Sequence, residues 1–210
     1  MFDMKIPYIK PTHSKDTIVA SIEGCNGAGK TTLLNQYKEA HQDTECILCV
    51  PEIYQKSKDM KHFMLFESSV LCSALYYLGG AVEVFHKHDR KYSKILFDRS
   101  IWSTFAAAYA KDPNTIPILI DCLRAIKDQV FMPELIVVLD ASYETCRQRI
   151  SSKKAGGEFD KDEEIVFNSK SRFYHILKDS GYPVVFIDVN NLTAKDVYSE
   201  FLHLISKFDN

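Results

Sequence analysis

The sequence predicts a three-layer α/β domain in which helices pack on both faces of a parallel sheet. Five short apolar runs indicate the sheet, because continuous runs rich in Ile, Val, Leu or Phe are typical of strands buried on both faces. These runs are Thr17–Glu23, Cys46–Val50, Lys94–Asp98, Leu135–Asp140 and Val184–Asp188. The segments between them are long, and most of them show the pattern of apolar residues that is typical of helices. Strands that alternate with helices in this way predict right-handed βαβ connections.

The helices are predicted within these segments. The segment Asp59–Arg90 is long enough for two helices, and we expect a break at Gly79-Gly80 because paired glycines interrupt helices. The other predicted helices are Thr31–His41, Thr115–Val130, Tyr143–Ser152, Asp162–Ser180 and Ala194–Phe208.

Length and charge limit the classes of function. The 210 residues suffice for one domain, and we divide them into an N-terminal extension (1–16) and a single domain (17–210). The formal net charge of -2 argues against a nucleic-acid polymer as partner. We expect no membrane span and a cytoplasmic location, because the sequence shows neither a long apolar run nor a basic-then-apolar leader.

The sharpest motif is a phosphate-binding loop, Gly24-Cys25-Asn26-Gly27-Ala28-Gly29-Lys30-Thr31. It matches G-x-x-x-x-G-K-[ST] at every fixed position and lies between a predicted strand and a predicted helix. Glycines let the backbone turn several amides toward phosphate oxygens, and the helix start adds its positive end. We expect Lys30 to reach the β- and γ-phosphates of ATP and the Thr31 hydroxyl to bind Mg²⁺. The predicted ATP-binding residues of this loop are Gly24, Asn26, Gly27, Ala28, Gly29, Lys30, Thr31 and Thr32.

A second group of polar residues ends the third apolar run, in Asp98-Arg99-Ser100. Ligands of open α/β sheets bind at the carboxyl ends of the strands, so we expect Asp98 and Arg99 near the phosphate loop. Asp98 can hold Mg²⁺ or its waters, or contact the acceptor. Arg99 can stabilise a transferring or an accepting phosphate. The alternative is an ordinary ion pair that ends a strand.

A glycine- and lysine-containing segment points to a small-molecule kinase. The guanine-reading motif Asn-Lys-x-Asp of GTP switches is absent from the sequence. A kinase must exclude water from the γ-phosphate, which a mobile cover achieves. We predict such a lid at about residues 147–160, in which Arg149 and Lys153 share one helix face over the phosphates. The alternative is a solvated basic helix end.

The order and spacing of these motifs resemble the thymidylate kinase family over residues 17–205. The resemblance rests on Gly24–Thr32, Asp98-Arg99-Ser100 with Ser103 and Tyr109, Pro133-Glu134-Leu135, Leu139-Asp140 and Arg149-Ile150. Related deoxynucleoside kinases share the layout and the acid-Arg-Ser signature. The resemblance implies a P-loop kinase fold with a five-stranded parallel sheet and a short lid, and ATP–Mg²⁺ as donor. It also implies a deoxynucleotide or deoxynucleoside acceptor and often a homodimer.

The residues leave open whether the acceptor is a nucleoside monophosphate or a nucleoside. A monophosphate brings roughly two negative charges and needs arginine forks, whereas a nucleoside hydroxyl benefits from a carboxylate base. The chain departs from the thymidylate kinase pattern at Asn26, where an acid is usual. It also lacks the usual arginines before Pro51-Glu52 and near Leu65–Ser69. Glu52 lies where deoxynucleoside kinases place their base.

Three functions therefore remain. We expect a kinase that converts dTMP to dTDP; the alternative is a deoxynucleoside kinase with Glu52 as base, and the third is a nucleotide-binding module without catalysis. The predicted catalytic residues are Lys30, Glu52, Asp98, Arg99 and Arg149; Thr31 and Asp98 are the predicted magnesium ligands, and Arg149 and Lys153 complete the donor site.

Six further residues are open to two interpretations. Phe63, Phe66, Tyr76 and Tyr77 could stack on an acceptor base, although aromatic residues at helical spacing more often belong to the core. Trp102 could line the acceptor pocket, with core packing as the alternative. Glu23 directly precedes the phosphate loop, and we expect a strand-end acid there, with a role near the phosphates as the alternative.

Overall fold

A five-stranded parallel sheet forms the centre of the protein. The computed structural model describes residues 4–10, 18–41, 44–48, 57–88, 94–152 and 164–207. The strands are β1 (Ile18–Glu23), β2 (Thr44–Leu48), β3 (Lys94–Asp98), β4 (Leu135–Asp140) and β5 (Val184–Asp188). Their order is β2-β3-β1-β4-β5, and every pairing is parallel. The predicted sheet is confirmed.

Helices cover both faces of this sheet. They are α1 (Lys30–Ala40), α2 (Lys58–His62), α3 (Val70–His88), α4 (Ile101–Lys111), α5 (Ile116–Ile126), α6 (Tyr143–Ser151), α7 (Glu164–Asp179) and α8 (Ala194–Ser206). Successive strand residues point to opposite faces, so Val19 joins one apolar cluster with α3, α4 and α5, while Ala20 joins another with α1 and α8. The predicted three layers are therefore present. Within the described ranges, no helix is both long and apolar enough to cross a bilayer.

The helical region between β2 and β3 is interrupted elsewhere than predicted. Helix α3 continues through Gly79 and Gly80, so the predicted break there is wrong. Gly80 is buried in this helix, which packs on the first apolar cluster through Ala74 and Leu78, and this packing outweighs the roughly 1 kcal/mol cost of a helical glycine. The interruption comes earlier, after a π-helical turn at Phe63–Glu67.

Helix α4 is a finding of the structure, because it is missing from the helices that we predict from the sequence. Its buried residues are Ile101, Trp102, Phe105, Ala106 and Ala108. They share one side of the helix, but Ala107 and Ala110 make the other side partly apolar too. The helix therefore gives little of the amphipathic contrast that periodicity analysis needs.

Residues 4–10 of the predicted extension pack on the same core. Ile6 and Ile9 are only 1% and 6% exposed. The amide of Ile9 donates to the hydroxyl of Tyr182 at 2.9 Å, and this hydroxyl donates to the carbonyl oxygen of Pro7 at 2.8 Å. This part of the N-terminal segment thus contributes to the first apolar cluster.

Candidate active site

The phosphate loop runs from β1 to α1 and lies tightly against neighbouring backbone. Gly24 and Gly27 have positive φ angles of 122° and 87°. A Cβ atom on Gly24 would lie 2.6 Å from the carbonyl oxygen of Leu139, and one on Gly27 would lie 2.6 Å from that of Cys146. These two glycines are therefore required by close approach to β4 and α6, and not only by the phosphate loop's own turn.

Helix α1 begins without a side-chain cap. Gly29 occupies the N-cap position, no described side chain accepts a hydrogen bond from the first turn, and that turn holds no acidic residue. A Cβ atom on Gly29 would meet no described atom within 4 Å. Unpaired amides at the positive end of a helix, beside open space, form an anion site. The amides of Gly29 and of the first turn of α1 form a cradle, and this cradle fits the phosphates of a nucleotide.

Lys30 lies inside this cradle. Its Nζ donates to the carbonyl oxygens of Gly24 at 3.0 Å and Cys25 at 2.8 Å, and the residue is 6% exposed. Burial, followed by the positive charge of Arg99, lowers the pKa of Lys30 from 10.5 to about 7. A neutral amine still has two N–H groups for the two carbonyls. Burial thus makes the uncharged form of Lys30 accessible nearer neutral pH than for an ordinary lysine.

Arg99 links β3 to the phosphate loop. Its guanidinium donates from Nη1 to the carbonyl oxygen of Gly24 at 3.3 Å and from Nη2 to Oδ1 of Asn26. Its backbone φ is 70°, and among the described residues no other non-glycine residue has a positive φ. The arginine that follows β3 is thus held against the phosphate loop.

Thr31 and Asp98 meet at the carboxyl edge of the sheet. Oγ1 of Thr31 donates to Oδ2 of Asp98 at 3.4 Å, although one residue starts α1 and the other ends β3. A hydroxyl and a carboxylate are oxygen ligands of the kind that Mg²⁺ prefers. The pair fits the predicted magnesium ligands.

Arg149 lies beside the phosphate loop on α6. Its Nη1 donates to the carbonyl oxygen of Ala28 at 3.4 Å and its Nη2 to that of Val189 at 2.6 Å. It therefore bridges the phosphate loop and the segment after β5. Lys153 and Glu52 lie outside the described residues, so their roles stay predictions, as does the lid beyond Ser152.

The environment of Glu23 differs from the one expected for an acid that simply ends a strand. Its side chain is fully buried. Oε1 accepts hydrogen bonds from the amide and the hydroxyl of Ser100, both at 2.7 Å. Oε2 accepts from the hydroxyl of Tyr174 at 2.9 Å and from the hydroxyl of Ser103. The available sequence signal was a charged residue at the end of a mostly apolar strand.

Tyr76 and Tyr77 are half-buried on α3, and the other three aromatic residues separate into two groups. Trp102 is fully buried, with its ring 5.2 Å from that of Phe105 and 4.7 Å from that of Tyr182, and so belongs to the core. Phe63 and Phe66 lie on the π-helical turn and are 43% and 61% exposed. These two side chains are accessible to a ligand, and π-helical turns occur frequently at functional sites.

Comparisons with known proteins agree with this geometry. The model of the thymidylate kinase family matches residues 22–200, and no curated protein matches the chain. Among solved structures, the thymidylate kinase of Candida albicans superposes with a TM-score of 0.71 at 16% identity, covering 92% of each chain.

A deoxyadenosine kinase of M. mycoides with bound dATP is also similar, with a TM-score of 0.68 at 16% identity over 89% of this chain and 98% of that one. A second structure of that enzyme, with dCMP and a flexible dCDP, gives 0.69 at 16% identity over 90% and 98%. These likenesses show the fold. With its family model matched over residues 22–200, the chain belongs to the thymidylate kinase family and is a nucleotide kinase.

Proposed function

We propose that this kinase transfers the γ-phosphate of ATP to dTMP and forms dTDP. The observation that carries the proposal is the convergence of Lys30, Arg99 and the Thr31–Asp98 pair around one phosphate loop. Two cations and a pair of magnesium ligands at the start of α1 match the charge distribution of a transferring phosphoryl group.

The donor side binds the phosphates of ATP through the amides at the start of α1. Lys30 exchanges its carbonyl partners for phosphate oxygens, and the phosphates stabilise its charged form. Thr31 and Asp98 would hold Mg²⁺, which would supply positive charge to neutralise the phosphates. Arg149 supports the phosphate loop through its hydrogen bond to the carbonyl oxygen of Ala28.

The transfer step needs no base on dTMP, because its attacking phosphate oxygen is already anionic. That oxygen forms a bond to the γ-phosphorus, the bond to the bridging oxygen breaks, and ADP leaves with the electron pair. Arg99 is suited to stabilise the charge on the equatorial oxygens, since its guanidinium is aimed at the rim of the phosphate loop.

A deoxynucleoside is the second candidate acceptor, and the position of Arg99 favours it. The guanidinium of Arg99 contacts the donor loop, and between Thr31 and Asp98 the sequence contains one arginine, Arg90, outside the described residues. An acceptor side with few arginines suits a neutral 5′-hydroxyl better than a phosphate. Glu52 would then take the proton of that hydroxyl.

A panel of acceptors with ATP and Mg²⁺ distinguishes these functions. We expect dTDP from dTMP, detected by chromatography of the products. Turnover of thymidine or another deoxynucleoside without turnover of dTMP would support the second candidate. Tight ATP binding in calorimetry without transfer to any acceptor would support a binding module that lacks catalysis.

The homodimer stays a prediction, which analytical ultracentrifugation would test.

A further inference from the structure

We infer that Glu23 and Tyr174 are positioning residues that hold Arg99 in the backbone conformation from which its guanidinium reaches the phosphate loop. Neither residue touches the cradle at the start of α1 in the hydrogen bonds described above. The inference rests on the proposed role of Arg99 in phosphoryl transfer. It assigns a function to a buried carboxylate that this proposed function leaves unused.

The carboxylate of Glu23 is fully satisfied by four donors. Each oxygen accepts two hydrogen bonds, Oε1 from Ser100 and Oε2 from Ser103 and Tyr174. Burial of a carboxylate is unfavourable unless such partners replace water. Glu23 thereby joins three elements, because it ends β1, the serines start α4, and Tyr174 lies in the middle of α7.

Two consecutive amides tie the Arg99 segment to β1. The amide of Arg99 donates to the carbonyl oxygen of Ile22 at 3.1 Å, and the amide of Ser100 donates to Oε1 of Glu23 at 2.7 Å. Between these two anchors, Arg99 adopts a φ of 70°. An L-residue keeps this unfavourable conformation only where its surroundings impose it. Glu23 supplies the second of the two anchors.

Tyr174 fixes the orientation of the Glu23 carboxylate. Its hydroxyl lies 2.9 Å from Oε2 and 3.4 Å from the hydroxyl of Ser103, and the residue is 3% exposed. Burial, together with the negative charge of Glu23, raises the pKa of Tyr174 well above its usual value, so the hydroxyl keeps its proton and donates. Removal of this donor frees one side of the carboxylate and weakens the anchor at Ser100.

A double-mutant cycle tests this connection. Tyr174→Phe and Glu23→Gln are each made in the native chain and in Arg99→Ala, and kcat and the KM for ATP are measured with the best acceptor of the panel. We expect each single change to lower kcat by about tenfold, as for loss of a hydrogen bond to a charged group. The KM for ATP should stay within about twofold, and neither change should lower kcat further in Arg99→Ala.

Tyr182→Phe is the matched control, because Tyr182 is a buried tyrosine whose hydroxyl is hydrogen-bonded but does not contact Glu23. It should lower the melting temperature and leave kcat unchanged. Equal losses of kcat in the native and Arg99→Ala backgrounds would overturn the inference, as would equal losses from Tyr174→Phe and Tyr182→Phe. If Glu23→Gln fails to fold, Tyr174→Phe alone decides.

Hydrogen exchange at the Ser100 amide provides a readout that needs no acceptor. We expect Tyr174→Phe to accelerate this exchange by about tenfold relative to Tyr182→Phe, as the anchor weakens. Unchanged exchange would overturn the inference even if the kinase is active. Faster exchange with no effect of Arg99→Ala on kcat would instead contradict the proposed role of Arg99, so the two failures are distinguishable.

Discussion

The donor side and the acceptor side of the candidate active site are built in different ways. On the donor side, backbone amides, carbonyls and three glycines form the cradle, and one contiguous segment from Gly24 to Thr31 supplies them. On the acceptor side, the candidate residues are side chains from separate segments: Glu52, and Phe63 with Phe66. A site made of backbone depends on conformation, whereas a site made of side chains depends on which elements fold together. For this reason the donor chemistry can be predicted from one motif, whereas the identity of the acceptor cannot.

Lys30→Ala tests the donor side with the largest expected effect. Loss of a preorganised charge at the transferring phosphate should lower kcat by ~10²-fold or more. Lys38→Ala is the matched control, because Lys38 is an exposed lysine in the last turn of the same helix. Steady-state kinetics with ATP and the best acceptor measures both. Equal turnover of the Lys30 variant and the native enzyme would contradict the catalytic role of the cradle.

Glu52→Gln tests the acceptor side. If the acceptor is a nucleoside, removal of the base should lower its phosphorylation by ~10²-fold or more. Turnover of dTMP should change little, because a phosphate oxygen needs no base. The ratio of the two kcat/KM values is the measurement. A parallel loss with both acceptors would show that Glu52 shapes the pocket and is not a base.

Gly27→Ala shows whether the donor side depends on backbone geometry. The new Cβ would lie 2.6 Å from the carbonyl oxygen of Cys146 at a φ of 87°, so the phosphate loop must shift. ATP affinity in calorimetry should fall by about tenfold, equivalent to ~1.4 kcal/mol. Gly181→Ala has a similar φ of 90° but no described neighbour within 4 Å. It should leave ATP affinity unchanged, and equal losses in both variants would refute a role for the close approach.

The titration of Lys30 gives the smallest expected effect. At pH 8 its amine is mostly neutral, because its pKa is lowered to about 7. Bound phosphates favour the charged form, so ATP binding should take up a fraction of a proton. Calorimetry in two buffers of different ionisation enthalpy measures this uptake. It should disappear in Lys30→Met, and equal uptake by that variant would assign the proton to another group.

The same titration predicts how stability depends on pH. The unfolded chain keeps the proton of Lys30 up to about pH 10.5, whereas the folded chain releases it near pH 7. The unfolded state therefore binds more protons between these values, and the contribution of Lys30 to the free energy of unfolding rises with pH through this window. Denaturant unfolding of the native chain and of Lys30→Met at pH 7 and pH 9 measures the difference.

Local patterns predicted most of the sheet. The bounds of β3, β4 and β5 agree with the predicted apolar runs, because a strand buried on both faces carries its signal in every residue. Strand β2 begins at Thr44, two residues before the predicted run, since its pairing with Lys94 of β3 sets the register. At Gly79 and Gly80 the local pattern predicts a break that is not present. Packing of a whole face of α3 keeps the helix continuous there.

By itself, the sequence determined the phosphate loop and the strands of the parallel sheet, because each depends on residues adjacent in the chain whose backbone preferences or apolarity act locally. It also determined the family, through the order and spacing of motifs along the chain. Only the tertiary structure decided that Glu23 is buried against a tyrosine 151 positions away. The sequence predicted Arg99 near the phosphate loop, but only the tertiary structure decided that its partners there are Gly24 and Asn26. It also decided that Ile6 and Ile9 enter the core. These contacts gain their free energy from desolvation and hydrogen bonding between distant segments, and that energy exists only once the segments have folded together.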